Sequence, residues 1–182
     1  MTVTAGQTVG PFFGFALPYN GGPELVPVGT PGAIRLTGRV LDGDGVGVPD
    51  ALLEIWQTDP DGAVVRRPGS LRRDGYTFTG WGRAATDNTG RYTFTTVLPG
   101  ATEGRPPFFA MTVFARGLLN RLFTRVYLPE TENDALLASL PAERRDSLIA
   151  RRLDNGLEFD VRLQGEDETV FLRFGPAERQ EA

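Results

Sequence analysis

A chain of 182 residues with 40% apolar side chains can bury one domain core, and its net charge of −4 carries no nucleic-acid footprint. It has no cysteine, which excludes disulfides, thiolate nucleophiles and Cys-ligated metal centres. It also has no histidine, which closes off most catalytic metal sites, Ser-His-Asp triads and imidazole acid–base chemistry, so a chain of this kind that serves an enzyme supplies binding and shape while another chain supplies the chemistry.

The first thirty residues read as an arm. Gln7-Thr-Val-Gly-Pro-Phe-Phe is followed by Pro18, Gly21-Gly22-Pro23, Pro27, Gly29 and Pro31, a density that blocks helix and central strand alike. Val9, Phe12, Phe13, Phe15 and Leu17 are too apolar for a solvated tail, so the arm is expected to dock. Met1 to Gly10 lacks the basic segment and apolar run of a signal peptide. No apolar stretch approaches the ~18 residues of a membrane span. A cytoplasmic protein is expected.

From Ala33 the period becomes two, with Ile34, Leu36 and Val40 alternating with Arg35, Thr37 and Arg39. Asp42-Gly-Asp-Gly makes a turn, Asp50 to Gln57 a second strand, and Asp59-Pro-Asp-Gly ends it, a hairpin signature. Residues 58 to 80 are loop-like. After Asp87-Asn-Thr-Gly, Tyr92, Phe94 and Leu98 mark a strand stopped by Pro99-Gly100. Phe108 to Ala115 is apolar on both faces, as in a central strand. Arg121 to Leu128 is another strand. Residues 134 to 153 are rich in Ala, Leu, Glu and Arg and read as helix, with Pro141 suited to a first turn, Arg151–Arg152 to a last turn and Asn155-Gly156 as the stop. Leu157, Phe159, Val161 and Leu163 then share one face, and Thr169 to Phe174 closes the sheet. Gly (23) and Pro (14) supply the turns. The pattern specifies an all-β sandwich with a short helical insertion near 134–153.

Few residues suggest chemistry. Asp42-x-Asp44 opens like a calcium loop, but Leu53 stands where a bidentate Glu is needed, so it reads as a turn. No Walker loop, dinucleotide fingerprint or Gly-x-Ser-x-Gly elbow occurs. Among the tyrosines, Tyr92 and Tyr127 lie in strands and read as structural. The arginine pairs 66–67, 72–73, 144–145 and 151–152 read as solvated faces or local ion pairs. Arg116 follows the apolar strand in Phe114-Ala-Arg-Gly. If the strand continues, Phe108, Ala110, Thr112, Phe114 and Arg116 share one face, and a guanidinium at its end suits capture of a planar carboxylate. Spacing alone leaves open that Arg116 simply enters solvent.

Read together, Gln7-Thr-Val-Gly-Pro-Phe-Phe, Leu53-Glu-Ile-Trp-Gln, Gly82-Arg-Ala-Ala-Thr-Asp, Gly90-Arg-Tyr-Thr-Phe, Val97-Leu-Pro-Gly, Phe108-Phe-Ala-Met-Thr-Val-Phe-Ala-Arg-Gly-Leu, Thr124-Arg-Val-Tyr-Leu-Pro and Gln164-Gly-Glu-Asp-Glu-Thr-Val-Phe resemble the intradiol dioxygenases, in family order over nearly the whole chain. The resemblance implies a prealbumin-like β-sandwich over 33–182 and an arm over 1–32 that docks at a subunit interface. It implies O2-dependent cleavage of protocatechuate to 3-carboxy-cis,cis-muconate, in aromatic catabolism through the beta-ketoadipate pathway.

The family holds Fe(III) with two Tyr and two His, the His pair in an Arg-Pro-x-His-x-His strand. The run here is Arg105-Pro-Pro-Phe-Phe-Ala, so Phe108 and Ala110 replace both imidazoles and Thr102 or its neighbour replaces a Tyr. The resemblance therefore implies no catalytic residue and no metal ligand in this chain, with a cavity filled by apolar side chains. The iron belongs to a beta-subunit partner in a higher-order αβ oligomer. Thr8, Gly10 and Pro11 in the arm, with Arg116, complete the partner's substrate pocket. The other reading is a non-catalytic prealbumin-like binding module, which accounts for the strands but not for the Phe-Ala-Arg-Gly run.

Overall fold

The computed structural model describes residues 13–102, 104–132 and 134–174. A short helix, α1 (Phe13–Ala16), leads to β1 (Ala33–Leu41), β2 (Leu52–Trp56), β3 (Trp81–Ala85), β4 (Arg91–Val97), β5 (Phe108–Phe114) and β6 (Leu122–Tyr127). Helices α2 (Ala135–Ser139) and α3 (Ala142–Arg145) and a 3-10 turn (Asp146–Leu148) follow. Strands β7 (Arg151–Leu153), β8 (Gly156–Glu158) and β9 (Val161–Arg162) complete the chain. One sheet runs β4-β1-β8-β7, with β9 also on β1, and the other runs β3-β2-β5-β6. The architecture is the expected β-sandwich.

Strand alternation builds the core. Leu36, Val40, Phe94, Leu157 and Val161 point inward from one sheet and meet Leu53, Ile55, Phe109, Met111, Val113 and Val126 from the other. Burying one such side chain contributes about 1.5–3 kcal/mol. On β5, Phe109, Met111 and Val113 are buried while Phe108, Ala110, Thr112 and Phe114 are half-buried. The strand is central, between β2 and β6, but its second face is the outer face of the sandwich.

Three turns share one construction. Asp42, Asp59 and Asp87 each use Oδ1 to accept backbone N–H groups two and four residues on, at 2.8–3.1 Å. The glycine three residues after each, Gly45, Gly62 and Gly90, takes φ of 76°, 87° and 77°, a region that disfavours side chains. Asp42 is thus spent on its own backbone, in agreement with a turn.

The expected hairpin does not form. β1 pairs with β4, β8 and β9, whereas β2 pairs with β3 and β5, so the two lie in different sheets. After β1 the chain folds back, Val48 N–H donating to Val40 O at 2.8 Å. Gly47 presses on the 89–90 turn, where a Cβ would lie 2.0 Å from Thr89 O. That contact steers the connection across the sandwich. β3 was not anticipated, because Gly82, Ala84 and Ala85 dilute its alternation.

The helical insertion is present but shorter than 134–153. Pro141 forces Leu140 into an extended conformation, ψ 148°, and splits the helix in two. Arg151–Leu153 is strand, and Asn155-Gly156 turns it into β8 rather than stopping a helix. Thr169 to Phe174 forms no full strand, making a single bridge from Leu172 to Phe123. Part of the arm lies on its own sandwich. Leu25 and Val26 are buried, and Leu25 N–H donates to Thr95 O at 2.8 Å. Arg73 is no solvated pair member, since its guanidinium donates to Gly21 O, Gly22 O and Trp81 O at 2.7–3.1 Å. Phe15 and Val28 remain 84% and 79% exposed.

Candidate functional site

The outer face of the β3-β2-β5-β6 sheet carries the positions singled out by sequence. Register sets Trp56 opposite both Trp81 and Ala110, and Ala110 opposite Arg125. Phe108 lies one step along the same face, opposite Tyr127. At this end of the sheet a cleft of about 640 Å³ opens, lined by Trp56, Val64, Thr102, Arg105, Phe108 and Ala110 among others. The apolar replacements therefore line the cavity without filling it, contrary to expectation. Its wall depends on close backbone packing: Gly100 N–H donates to Asp59 O at 2.8 Å, and a Cβ on Gly100 would meet Gly62 N at 2.3 Å.

The polar groups of the cleft are already engaged. Buried Gln57 donates through Nε2 to Thr58 O and Val97 O at 3.2 and 2.9 Å, and its Oε1 accepts from the Thr96 hydroxyl. Thr58 Oγ1 donates to Gly100 O at 2.7 Å. Ferric iron needs anionic oxygen, thiolate or imidazole donors. The described lining offers neutral amide and hydroxyl groups and a cationic Arg105, a set that does not fit the metal. Among the described residues no group of three or more acidic side chains is placed to hold an ion.

Arg125 and the helical insertion brace the Phe108 wall. The Arg125 guanidinium lies 4.4 Å from the Phe108 ring centroid, a cation–π distance, and donates to Tyr127 Oη at 2.9 Å. Tyr127 Oη donates to Asp134 Oδ1 at 2.7 Å, and the same oxygen caps α2 through Leu136 N–H at 2.8 Å. Burial pushes the Tyr127 phenol up to about 12. Tyr92 is fully buried, its hydroxyl donates to Phe159 O at 2.6 Å, and burial raises its pKa well above the ordinary value. Both tyrosines are structural, as their strand positions suggested. Tyr76 is 95% exposed.

Arg116 sits in the turn after β5, at the opposite end of the strand from Ala110. Six residues at ~3.3 Å each put the two on the order of 20 Å apart. Arg116 therefore does not serve this chain's own cleft. Its Nη2 lies 3.3 Å from Asp50 Oδ2, with the Arg116 side chain 57% exposed. Asp50 has φ 58°, the one non-glycine residue with positive φ among those described, and its Oδ1 is buried without a hydrogen-bond partner there. Such backbone is costly and clusters at functional sites. α1 rests on the same residue: a Cβ at Gly14 would lie 3.2 Å from Asp50 Cβ. The end of the arm and Arg116 thus converge on Asp50. Thr8, Gly10 and Pro11 lie outside the described residues. Sequence reasoning did not single out Asp50, Trp56 or Arg125. Only tertiary pairing gives them meaning, although Asp134 before Ala-Leu-Leu was a readable cap.

The Dioxygenase family model matches residues 9–110, more than half of the chain. The chain belongs to the intradiol dioxygenase family. Within it, the chain is 38% identical to the protocatechuate 3,4-dioxygenase alpha chain of Burkholderia cepacia, over 93% of this chain and 96% of that one. The beta chain of the same organism's enzyme is 36% identical over 77% of this chain and 68% of its own length. Among solved structures, the dioxygenase domain of a dioxygenase–carbohydrate-binding fusion from Streptomyces sp. SirexAA-E matches with TM-score 0.55 at 26% identity, covering 79% of this chain and 87% of that domain. Among the described residues, no helix is long and apolar enough to cross a membrane.

Proposed function

We propose that this chain is an iron-free alpha-type subunit of an enzyme that cleaves protocatechuate between its two hydroxyl-bearing carbons to 3-carboxy-cis,cis-muconate, with both atoms of O2 incorporated. The observation that carries this is the division along β5. Phe108 and Ala110, which offer no lone pair, line the cleft at one end, while a half-exposed cation stands at the other, on the order of 20 Å away. A chain so arranged has nothing with which to bind iron, but it presents positive charge to something outside itself.

The partner is a beta-type chain, which holds the iron and supplies its redox chemistry. This subunit adds Arg116, whose planar guanidinium offers paired N–H donors to a benzoate carboxylate. Asp50 orients it. The arm, residues 1–32, docks at the interface between the chains, and Thr8, Gly10 and Pro11 line the entrance to the partner's pocket. Exposed Phe15 and Leu17, next to Arg116's partner Asp50, are the apolar surface available for such docking. A prealbumin-like module without an enzymatic partner would give no reason for the strained Asp50 beneath Arg116.

The test is co-expression with a beta-type chain, followed by oxygen uptake with protocatechuate and iron analysis of each chain. Activity is expected only for the pair. Stoichiometric ferric iron in the isolated chain, seen as a phenolate charge-transfer colour, overturns the proposal.

A further inference from the structure

The cleft beside Phe108 and Ala110 has a role of its own to explain. It is about 640 Å³ in volume, within the roughly 300–1,000 Å³ of small-molecule sites. Its walls are broad and apolar, from Trp56, Val64, Pro106 and Phe108. Trp56 is 44% exposed there, leaving an aromatic face that a ligand ring would cover at a gain.

The charge of the cleft is one-sided. No carboxylate stands among the described lining residues, and Arg105 is the cation at its exposed edge. A tight turn holds Arg105 beside Thr102: Arg105 N–H donates to Thr102 O at 3.0 Å, with Gly104 at φ 68°. Arg125, stacked on Phe108, adds positive potential behind the wall. The floor makes no demand on a ligand, because Gln57 and Thr58 are satisfied within the chain. A flat apolar surface with one cation at its edge selects a planar ring bearing a single negative group. A neutral ring would leave the guanidinium unused, and an acyclic dicarboxylate would leave the aromatic wall uncovered.

We propose that this cleft binds a planar aromatic monocarboxylate, its ring against Trp56 and Phe108 and its carboxylate toward Arg105, without turning it over. The site stands on the cleft alone and is separate from Arg116. The ligand is therefore held by the subunit as an effector or reservoir, not as a reactant.

Benzoate, which has no diol to be cleaved, is the probe. Titration calorimetry on the full chain in its assembly, with tryptophan fluorescence read alongside, is expected to show saturable binding. Arg105→Ala weakens it roughly tenfold or more, as expected for loss of a charge-assisted contact. Ala110→Phe, which fills the cleft, abolishes it, while Arg116→Ala leaves it unchanged. Cyclohexanecarboxylate, of equal charge but puckered, binds more weakly. Absence of binding, or binding that survives both Arg105→Ala and Ala110→Phe, overturns the proposal. Arg105 is exposed, so its variant keeps the test valid even if Ala110→Phe fails to fold. Equal affinity for the puckered acid overturns the planar assignment.

Discussion

Removing the Arg116 guanidinium separates folding from substrate binding. The Arg116–Asp50 pair spans 3.3 Å, but the Arg116 side chain is 57% exposed. Solvent screening therefore limits its share of stability to about 1 kcal/mol at most, a shift of about 2–4 °C in Tm for a domain of this size. A charge-assisted hydrogen bond to a bound carboxylate contributes about 1.5–3 kcal/mol, equivalent to roughly ten- to a hundred-fold in affinity. Arg116→Ala in the αβ enzyme should thus raise KM for protocatechuate by roughly ten- to a hundred-fold and leave KM for catechol, which has no carboxylate, nearly unchanged. Steady-state oxygen uptake with both substrates measures this, and a thermal melt of the same sample checks the fold. Equal changes for the two substrates would refute the carboxylate role. A Tm loss above about 10 °C would show that the pair is structural, because an exposed ion pair cannot account for it.

Other residues make sharp tests of the fold. Tyr92→Phe removes the buried hydroxyl that donates to Phe159 O and should cost about 1–3 kcal/mol, read as a lower denaturation midpoint with unchanged far-UV dichroism. Burial holds the Tyr127 phenol near 12 against an ordinary 10.0, so the unfolded chain ionises first. The Tyr127 contribution is full below about pH 10 and is lost as pH rises toward 12; denaturation at about pH 9 and about pH 11 should show the fall, and Tyr127→Phe should flatten it. Gly38→Ala would place a Cβ 1.8 Å from Phe159 O, against backbone that cannot yield, and soluble expression should fail. Arg73→Ala frees Gly21 O, Gly22 O and Trp81 O, and limited proteolysis should then cut within residues 20–26 faster than in the native chain.

The sandwich, the central place of β5 and the short helical insertion were legible because each depends on local period. Leu157, Phe159 and Val161 share a buried face as their spacing of two requires. The three Asp-x-x-Gly turns were legible because their hydrogen bonds close within five residues. Pairing was not. β1 and β2 look like a hairpin because both alternate, but alternation states which side chains face a core and not which sheet a strand joins. The helix over 134–153 was overdrawn for a related reason: good helix formers describe Arg151–Leu153 well, yet pairing with β8 outweighs propensity there.

The candidate site divides along the same line. The lack of histidine, and Phe108 and Ala110 in an Arg-Pro run, can be read from the chain alone, because ligand chemistry is a property of residue type. The two ends of β5 also follow from sequence, since a strand fixes distance along itself. That the cleft beside Phe108 stays open required the fold, because its volume depends on Gly100 passing Gly62 and on Arg125 bracing the ring from another strand. Asp50 required it too: its left-handed backbone and its contacts with both Arg116 and α1 arise between segments far apart in sequence, where no local pattern records which side chains meet.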